Sequence, residues 1–417
     1  MSRIAVVGSG IAGLGAAWLL SQRHEVTLYE AADYLGGHTH THAIELDGAE
    51  YAVDSGFIVF NPEHYPLLSA LFARLGVESQ PTTMSFSVHE ERTGLEYNAG
   101  TLDGLFCQRR NLLSPRFWRM LRDLRRFYRE APQVLHDATL AQLTLGDFLQ
   151  RHRYSEVFRD AHLVPMASAL WSSPSRQILD FPMRQLIGFM ANHHMLQVSG
   201  RPQWRVVRGG SNSYVRALRS RWRVRERLGT PVRALQRTAH GSVAIACDAD
   251  TQQYDHAVLA CHADDALRLL TDPSDAETAI LGAIGYQDNE TVLHTDARVL
   301  PRDRRAWAAW NAHVPADPDA PCTVSYWMNA LQSLQAPQPF IVSLNRSDAI
   351  DPAKVLRRMR YRHPLQTQAS VAAQARKGEI QGQRNTWFAG AGWGFGFHED
   401  GLRSAVDVAA ALGVPWS

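Results

Sequence analysis

Lysine is almost missing from this chain: Lys354 and Lys377 are the only two in 417 residues, and arginine supplies the rest of a Lys plus Arg total of 43. Against 41 acidic residues the formal charge is +2, which gives no global attraction to nucleic acid or to acidic surfaces. Cysteine is scarce too. Cys107, Cys247, Cys261 and Cys322 lie far apart with no CxxC pair, so neither a zinc knuckle nor a disulfide scaffold is indicated, and the pattern suits a reducing cytoplasm. No apolar run reaches the roughly 18 residues of a membrane span. The apolar opening "MSRIAVVGSGIAGLGAAWLL" carries glycines at fixed spacing and no cleavage-like end, unlike a signal peptide. Repeats and low-complexity tracts are absent. What remains is 45% hydrophobic and 20% charged, an ordinary globular composition long enough for about two domains. The expectation is a cytoplasmic protein without a nucleic-acid partner.

The first thirty residues carry the strongest local signal. "RIAVVG" reads as a buried parallel strand, "IAGLGAAWLLSQR" as an Ala/Leu-rich helix and "EVTLYE" as a second strand. Gly8, Gly10 and Gly13 form GxGxxG between the first strand and the helix, with Glu30 twenty residues after Gly10. Gly8 allows the tight turn, Gly10 lets a pyrophosphate approach the backbone, and Gly13 lets helix and strand pack closely. The helix start at Ile11 and Ala12 presents free N–H groups to phosphate, and Glu30 can accept from a ribose hydroxyl. The alternative is a glycine turn without nucleotide.

"GGHTHTH", residues 36 to 42, follows. On a strand, His38, His40 and His42 would share one face, as metal ligands do. A zinc site would need a further ligand or an open position and a supporting shell, and the sequence nominates no partner; no metal is expected. A glycine pair after the second strand, Gly36 and Gly37, is the feature that favours FAD over NAD.

At this point the chain resembles the FAD-dependent amine-oxidase superfamily, which includes monoamine oxidases, protoporphyrinogen oxidases and carotenoid desaturases. The usual residue after the glycine pair there is Arg, and His38 stands in its place. "YLGGHTHT", "VDSGFIVFNPEHYP", "RPQWRVVRGGSNSYV", "LACHADDALRLL", "SYWMNALQSL" and "GFGFHEDGLRS" are similar to a branch of predicted flavoproteins encoded beside, or fused to, cyclopropane-fatty-acid-synthase-like methyltransferases. In that branch the histidine after GG is expected, while His40 and His42 are not fixed. The resemblance implies an α/β fold. A Rossmann-like FAD-binding domain of the glutathione-reductase type (1–72, 205–290 and 383–417) interleaves with an α+β substrate domain (73–204 and 291–382) containing a mixed sheet and helices. It also implies non-covalent FAD, since no cysteine lies in the closing segment, with His38 at the cofactor and Val232 at the adenine end, or else simply in the core. In the closing motif "WFAGAGWGFGFHEDGLRSAV", Gly390 and Ala391 approach the flavin and the amides around Asp400, Gly401 and Leu402 face its pyrimidine side.

Amine oxidases of this superfamily typically place a lysine, through a water, beside the reactive flavin nitrogen. Neither Lys354 nor Lys377 sits clearly on the corresponding strand; "ETVLHTD" offers His294 and Asp296 instead. His294 is therefore a candidate acid/base group, against a strand histidine satisfied by backbone, and His398 a candidate substrate contact, against a helix cap. The company of lipid-modifying methyltransferases implies a hydrophobic, fatty-acyl substrate. Two alternatives remain: a narrow-sense amine oxidase, and a non-catalytic FAD-holding partner of a lipid methyltransferase. Finally, "SPRFWRMLRDLRRFYRE" places Phe117, Leu121, Leu124 and Tyr128 on one helical stripe and arginines on another. Such a helix at 115–130 either lies peripherally on the inner face of a membrane or turns its stripe to the core.

Overall fold

The computed structural model describes residues 1–171, 175–197, 200–238, 240–317 and 320–416. The short apolar runs become a five-stranded sheet in the order Val224–Arg227, Glu25–Tyr29, Arg3–Val7, His256–Leu259, Thr386–Phe388, every neighbour parallel. Parallel strands are covered on both faces, which is why they read as continuous apolar runs. Ile4 and Val6 pack toward the helix Ile11–Leu20. Ala5 and Val7 pack on the other side with Leu235, Val243 and Ile245, from the antiparallel meander Val232–Arg237, Val243–Cys247, Thr251–Tyr254. Chain order steps outward from Arg3–Val7 in both directions, so the carboxyl ends of the central strands open on a crevice, where such sheets hold ligands.

The closing helix, His398–Ala411, lies against Ile11–Leu20. Leu402 is fully buried, and a Cβ on Gly15 would stand 2.7 Å from its Cδ1, as would one on Gly401 from Ile11 Cγ2. Small residues thus let the two helices meet at the sheet edge where the cavity begins.

A second, seven-stranded sheet runs Val355–Pro364, Tyr286–His294, Ile341–Leu344, Thr323–Trp327, Trp310–Val314, Phe86–Glu90, Leu95–Asn98. It is mixed: Trp310–Val314 pairs with Phe86–Glu90 in parallel and all other neighbours are antiparallel. The strand Tyr286–His294 belongs to it whole, so it straddles residue 290, where the sequence reading divides the chain. Helices between residues 102 and 192 add a core of Phe117, Phe127, Phe148, Phe158 and Phe189. Pro115–Glu130 starts as its sequence dictates, with Pro115 in the first turn and Ser114 Oγ accepting from the Phe117 amide at 3.2 Å. Its buried residues are Phe117, Met120, Asp123 and Phe127, with Leu121, Leu124 and Tyr128 packed beside the core. The apolar stripe therefore faces inward, and it is not a lipid-facing surface. No helix among the described residues is long and apolar enough to cross a membrane.

Candidate functional site

A cavity of about 1260 Å³ runs from the crevice of the parallel sheet to the helical layer of the second unit. Gly8, Gly10, Ile11, Ala12, Glu30, Gly36, Gly37, His38, Val232, Gly390, Ala391 and His398 all line it, so twelve of the sequence-nominated residues converge on one space.

At its first end the turn Gly8–Gly10 feeds the helix Ile11–Leu20. Gly8 holds φ +97°, a left-handed conformation that costs a side chain 1–2 kcal/mol or so and glycine almost nothing. Gly13 stays off the cavity wall for a different reason: a Cβ there would be driven into the Gly8 carbonyl. Gly10 is the opposite case, since nothing lies within 4 Å of where its Cβ would stand. The helix has no side-chain N-cap and no acid in its first turn, so its leading amides are left for an anion from the cavity. Glu30 is held from one side, its carboxylate accepting from the Ser9 amide (2.8 Å), the Ser9 hydroxyl (2.6 Å) and the Ala32 amide (2.9 Å). Carboxylate lone pairs outnumber these donors, so it can still take a ribose hydroxyl. Val232 stands in the wall beside Thr230 and Pro231.

Further along, His38 is a cavity residue whose Nε2 is buried without a hydrogen-bond partner. Its ring sits 5.0 Å from Tyr361 and 5.3 Å from His363. Burial first, then the neighbouring His363 and His262 imidazoles, push its pKa well below the usual histidine range. A neutral, orphaned imidazole, an open backbone cradle at Gly10 and uncapped helix amides together fit a dinucleotide with a polar ring system. Only His42 is on a strand, Thr41–Leu46, and His40 lies one residue before it; their rings are 4.0 Å apart, but they point to hydroxyls. His42 Nε2 is 2.8 Å from Ser55 Oγ, and His40 Nδ1 is 3.1 Å from Tyr361 OH. Among the described residues the groups bringing three ligand atoms together are Glu63, His64, His194 and His262, Asp264, Asp265; neither contains His38, His40 or His42.

The loop 390–397 closes the cavity, pinned by the Gln374 amide to the Gly392 and Gly394 carbonyls (2.9 Å each) and by the Gln366 amide to Gly394 (3.1 Å). Here the structure redraws the expected amide set. Gly401 N–H already donates to the Phe397 carbonyl at 3.1 Å, and Leu402 is buried between helices. The helix start leaves the amides of His398, Glu399 and Asp400, while the Asp400 carboxylate accepts from the Phe397 amide. Asp400, Gly401 and Leu402 are not among the wall residues. Burial raises the Asp400 pKa to about 6. His398 stacks on Phe57, 3.7 Å between centroids, and its Nε2 lies 3.0 Å from Thr39 Oγ1. Burial lowers its pKa to about 3. Its ring borders the cavity, and its Nε2 is spent on Thr39 and Tyr214.

His294 is not brought to the cavity. It is fully buried in the second sheet, with Nε2 2.9 Å from Ser343 Oγ and Nδ1 accepting from the Asp296 amide at 3.0 Å. The two lysines are elsewhere as well, Lys354 on Asp296 and Lys377 on Asp407. Residues the sequence reading passed over line the wall instead: Tyr286, His262, Arg360, Tyr361 and His363. "RYRHP" held the signal, an alternation that turns Tyr361 and His363 to one face of the strand.

The farther lobe is walled by Met84, Phe86, Met166, Leu170, Phe189 and Phe395. Among the described wall residues the carboxylates are Glu30 and Asp265, both on the parallel-sheet unit and both engaged, Asp265 with Arg362 at 3.1 Å. No described wall residue is lysine.

Comparison with known proteins places this geometry. The chain is 27% identical over 288 residues to a carotenoid phi-ring synthase of Streptomyces griseus (64% of this chain, 53% of that protein). It is 38% identical over 77 residues to an L-amino-acid oxidase of Pseudechis australis (18% of this chain, 14% of that protein). The chain thus spans about half the length, or less, of these relatives. In fold it is similar to a CLA-producing fatty acid isomerase from P. acnes (TM-score 0.69, 17% identity, 98% of each chain). It is likewise similar to putrescine oxidase bound to putrescine (TM-score 0.69, 14% identity, 99% of this chain and 98% of that one). The family model for flavin containing amine oxidoreductases matches residues 11–304, from the helix at the glycine turn into the second sheet, and the chain belongs to that family, with FAD as its cofactor.

Proposed function

We propose that this protein is an FAD-dependent oxidoreductase acting on a hydrophobic, acyl-type substrate, of the desaturase or dehydrogenase kind. The observation that carries the reading is the chemistry of the farther lobe. The residues named in its wall are apolar, and the charged lining of the whole cavity is arginine (Arg201, Arg233, Arg268, Arg360 and Arg362) apart from the engaged carboxylates Glu30 and Asp265. A substrate ammonium would leave water without a counter-charge, which is costly. An acyl chain gains from burial at about 25 cal/mol per Å², and a carboxylate or phosphate head would meet guanidinium groups.

FAD, when bound, supplies the acceptor for the hydride removed from the substrate. The chain's own residues bind and exclude water. Gly10, Ile11 and Ala12 would hold the pyrophosphate, Glu30 a ribose, and His38 and the loop at Gly390 and Ala391 the ring system, while Phe189, Phe395 and Phe397 in the cavity wall would exclude water. The names of the carotenoid and fatty-acid proteins above support a lipid-like substrate; the name putrescine oxidase supports the amine alternative, which the lobe's missing counter-ion disfavours.

Anaerobic mixing of the yellow holoprotein with long-chain acyl substrates and, separately, with primary amines and polyamines tests the proposal. Bleaching of the flavin absorbance by acyl substrates is the expected outcome. Bleaching by amines alone overturns it. Reduction by neither, together with co-purification with a lipid methyltransferase, would turn the reading to an FAD-holding partner subunit.

A further inference from the structure

The apolar stripe of Pro115–Glu130 is buried, yet the surface beside it is not polar. Apart from Met1, the large hydrophobic residues exposed among those described are Leu102 (76%), Leu112 (46%), Leu113 (89%) and Trp118 (50%), all within seventeen positions of one another. They form one patch. Leu102 lies one turn from Phe106, whose ring is 5.7 Å from Trp118, and Trp118 Nε1 donates to the Leu112 carbonyl at 2.8 Å. Exposing this much apolar surface in one place costs free energy unless something covers it.

Charge says what. Trp118, Arg122, Arg125 and Arg129 recur at spacings of four, three and four, one exposed stripe along the helix, and Arg116 and Arg119 are exposed beside it. Nearby carboxylates neutralise the stripe only in part. Asp103 is paired with Arg109, Asp123 lies 3.9 Å from Arg122, and Glu130 is shared by Arg126 at 3.0 Å and Arg129 at 3.3 Å, while among the described ion pairs none takes up Arg116, Arg119 or Arg125. Leucines at one end, a tryptophan at the boundary and arginines along some 20 Å of helix match a bilayer surface: apolar tips enter the acyl boundary, the indole sits at headgroup depth, and the guanidinium groups meet lipid phosphate. We propose that this surface docks the protein on an anionic phospholipid bilayer. The docking residues come from the two short helical turns before the helix and from its outer face, and none of them lines the cavity.

Sedimentation of the FAD-loaded protein with vesicles tests this. Phosphatidylglycerol mixed into phosphatidylcholine should carry the protein down, phosphatidylcholine alone should not, and raising salt from about 0.1 to about 1 M should release it. Leu113→Ser with Trp118→Ser, and separately Arg122→Ser with Arg125→Ser, should each weaken partitioning about tenfold or more, with flavin spectrum and melting temperature unchanged. Failure of the wild type to bind anionic vesicles, or wild-type binding by both double variants, overturns the proposal. So does a stoichiometric soluble complex on this surface without vesicle binding.

Discussion

The hydroxyls of Ser55 and Tyr361 stand 2.6 Å apart and tie the segment after the histidine run to the longest strand of the seven-stranded sheet. His42 reaches the same Ser55 and His40 the same Tyr361, so two of the three alternating histidines serve a joint between the cofactor crevice and the substrate lobe. Burial lowers the pKa of both, His42 to about 4, keeping them neutral hydrogen-bonding rings at physiological pH.

Tyr361→Phe removes the hydroxyl at the centre of this joint while preserving the ring. Buried groups that lose a partner cost about 1–3 kcal/mol each, so the variant should unfold at lower denaturant by roughly that amount. A chelator added to the wild type should leave the unfolding midpoint where it was, because these histidines spend their nitrogens on hydroxyls. A chelator-induced drop would restore the metal reading.

Gly10 and Gly13 belong to one motif and should fail in different ways. Gly10 has ordinary extended dihedrals, φ −62° and ψ 178°, and open space around it. Gly10→Val should therefore fold with native circular dichroism and purify without yellow colour. Gly13→Ala pushes a methyl into the Gly8 carbonyl, and overpacking of this kind costs about 1–3 kcal/mol. Its thermal midpoint should drop even in apoprotein, which a purely cofactor-binding role would not produce.

What could be read in advance divides along physical lines. The parallel strands and the glycine turn were legible because burial on both faces and a close backbone approach leave local marks in "RIAVVG" and GxGxxG. The cavity wall from Arg360 to Pro364 was not, because its strand carries only a partial burial pattern and the crevice partners of Tyr361, Ser55 and His40, lie some three hundred residues away. Helix Pro115–Glu130 showed its two faces plainly, but which face meets protein is decided by Phe148 and Phe158, which lie outside it. His294 does sit on the strand its sequence predicts, but a register that turns it to Ser343 rather than to the crevice leaves no trace in "ETVLHTD".

His294→Ala separates structure from chemistry. The change strands Ser343 Oγ and the Asp296 amide in a fully buried setting, at about 1–3 kcal/mol per lost partner. Stability should fall while the rate of flavin reduction by the true substrate stays within about twofold of wild type, since no atom of His294 borders the cavity. A large loss of reduction rate in folded, FAD-loaded protein would return His294 to the chemistry.

Acid should unfold this protein well before its carboxylates are exhausted. Burial first of all lowers His193, His262 and His363 to about 4 and His398 to about 3, from 6.5 in the unfolded chain. Between pH 6.5 and 4 the unfolded state therefore binds protons that the folded state refuses, and stability, fully present above pH 6.5, falls as the pH drops. Asp54 and Asp400 work the other way. Burial raises both to about 6, so between pH 3.8 and 6 the folded state holds their protons more tightly and gains stability as the pH falls. These four imidazoles, with His38 beside them also held well below the usual histidine range, outnumber the two carboxylates, and the net slope should follow the histidines. The unfolding midpoint should decline steadily from pH 6.5 to 4, and His363→Asn should flatten that decline by removing one of the four. A midpoint that rises over this window would show that the buried carboxylates dominate.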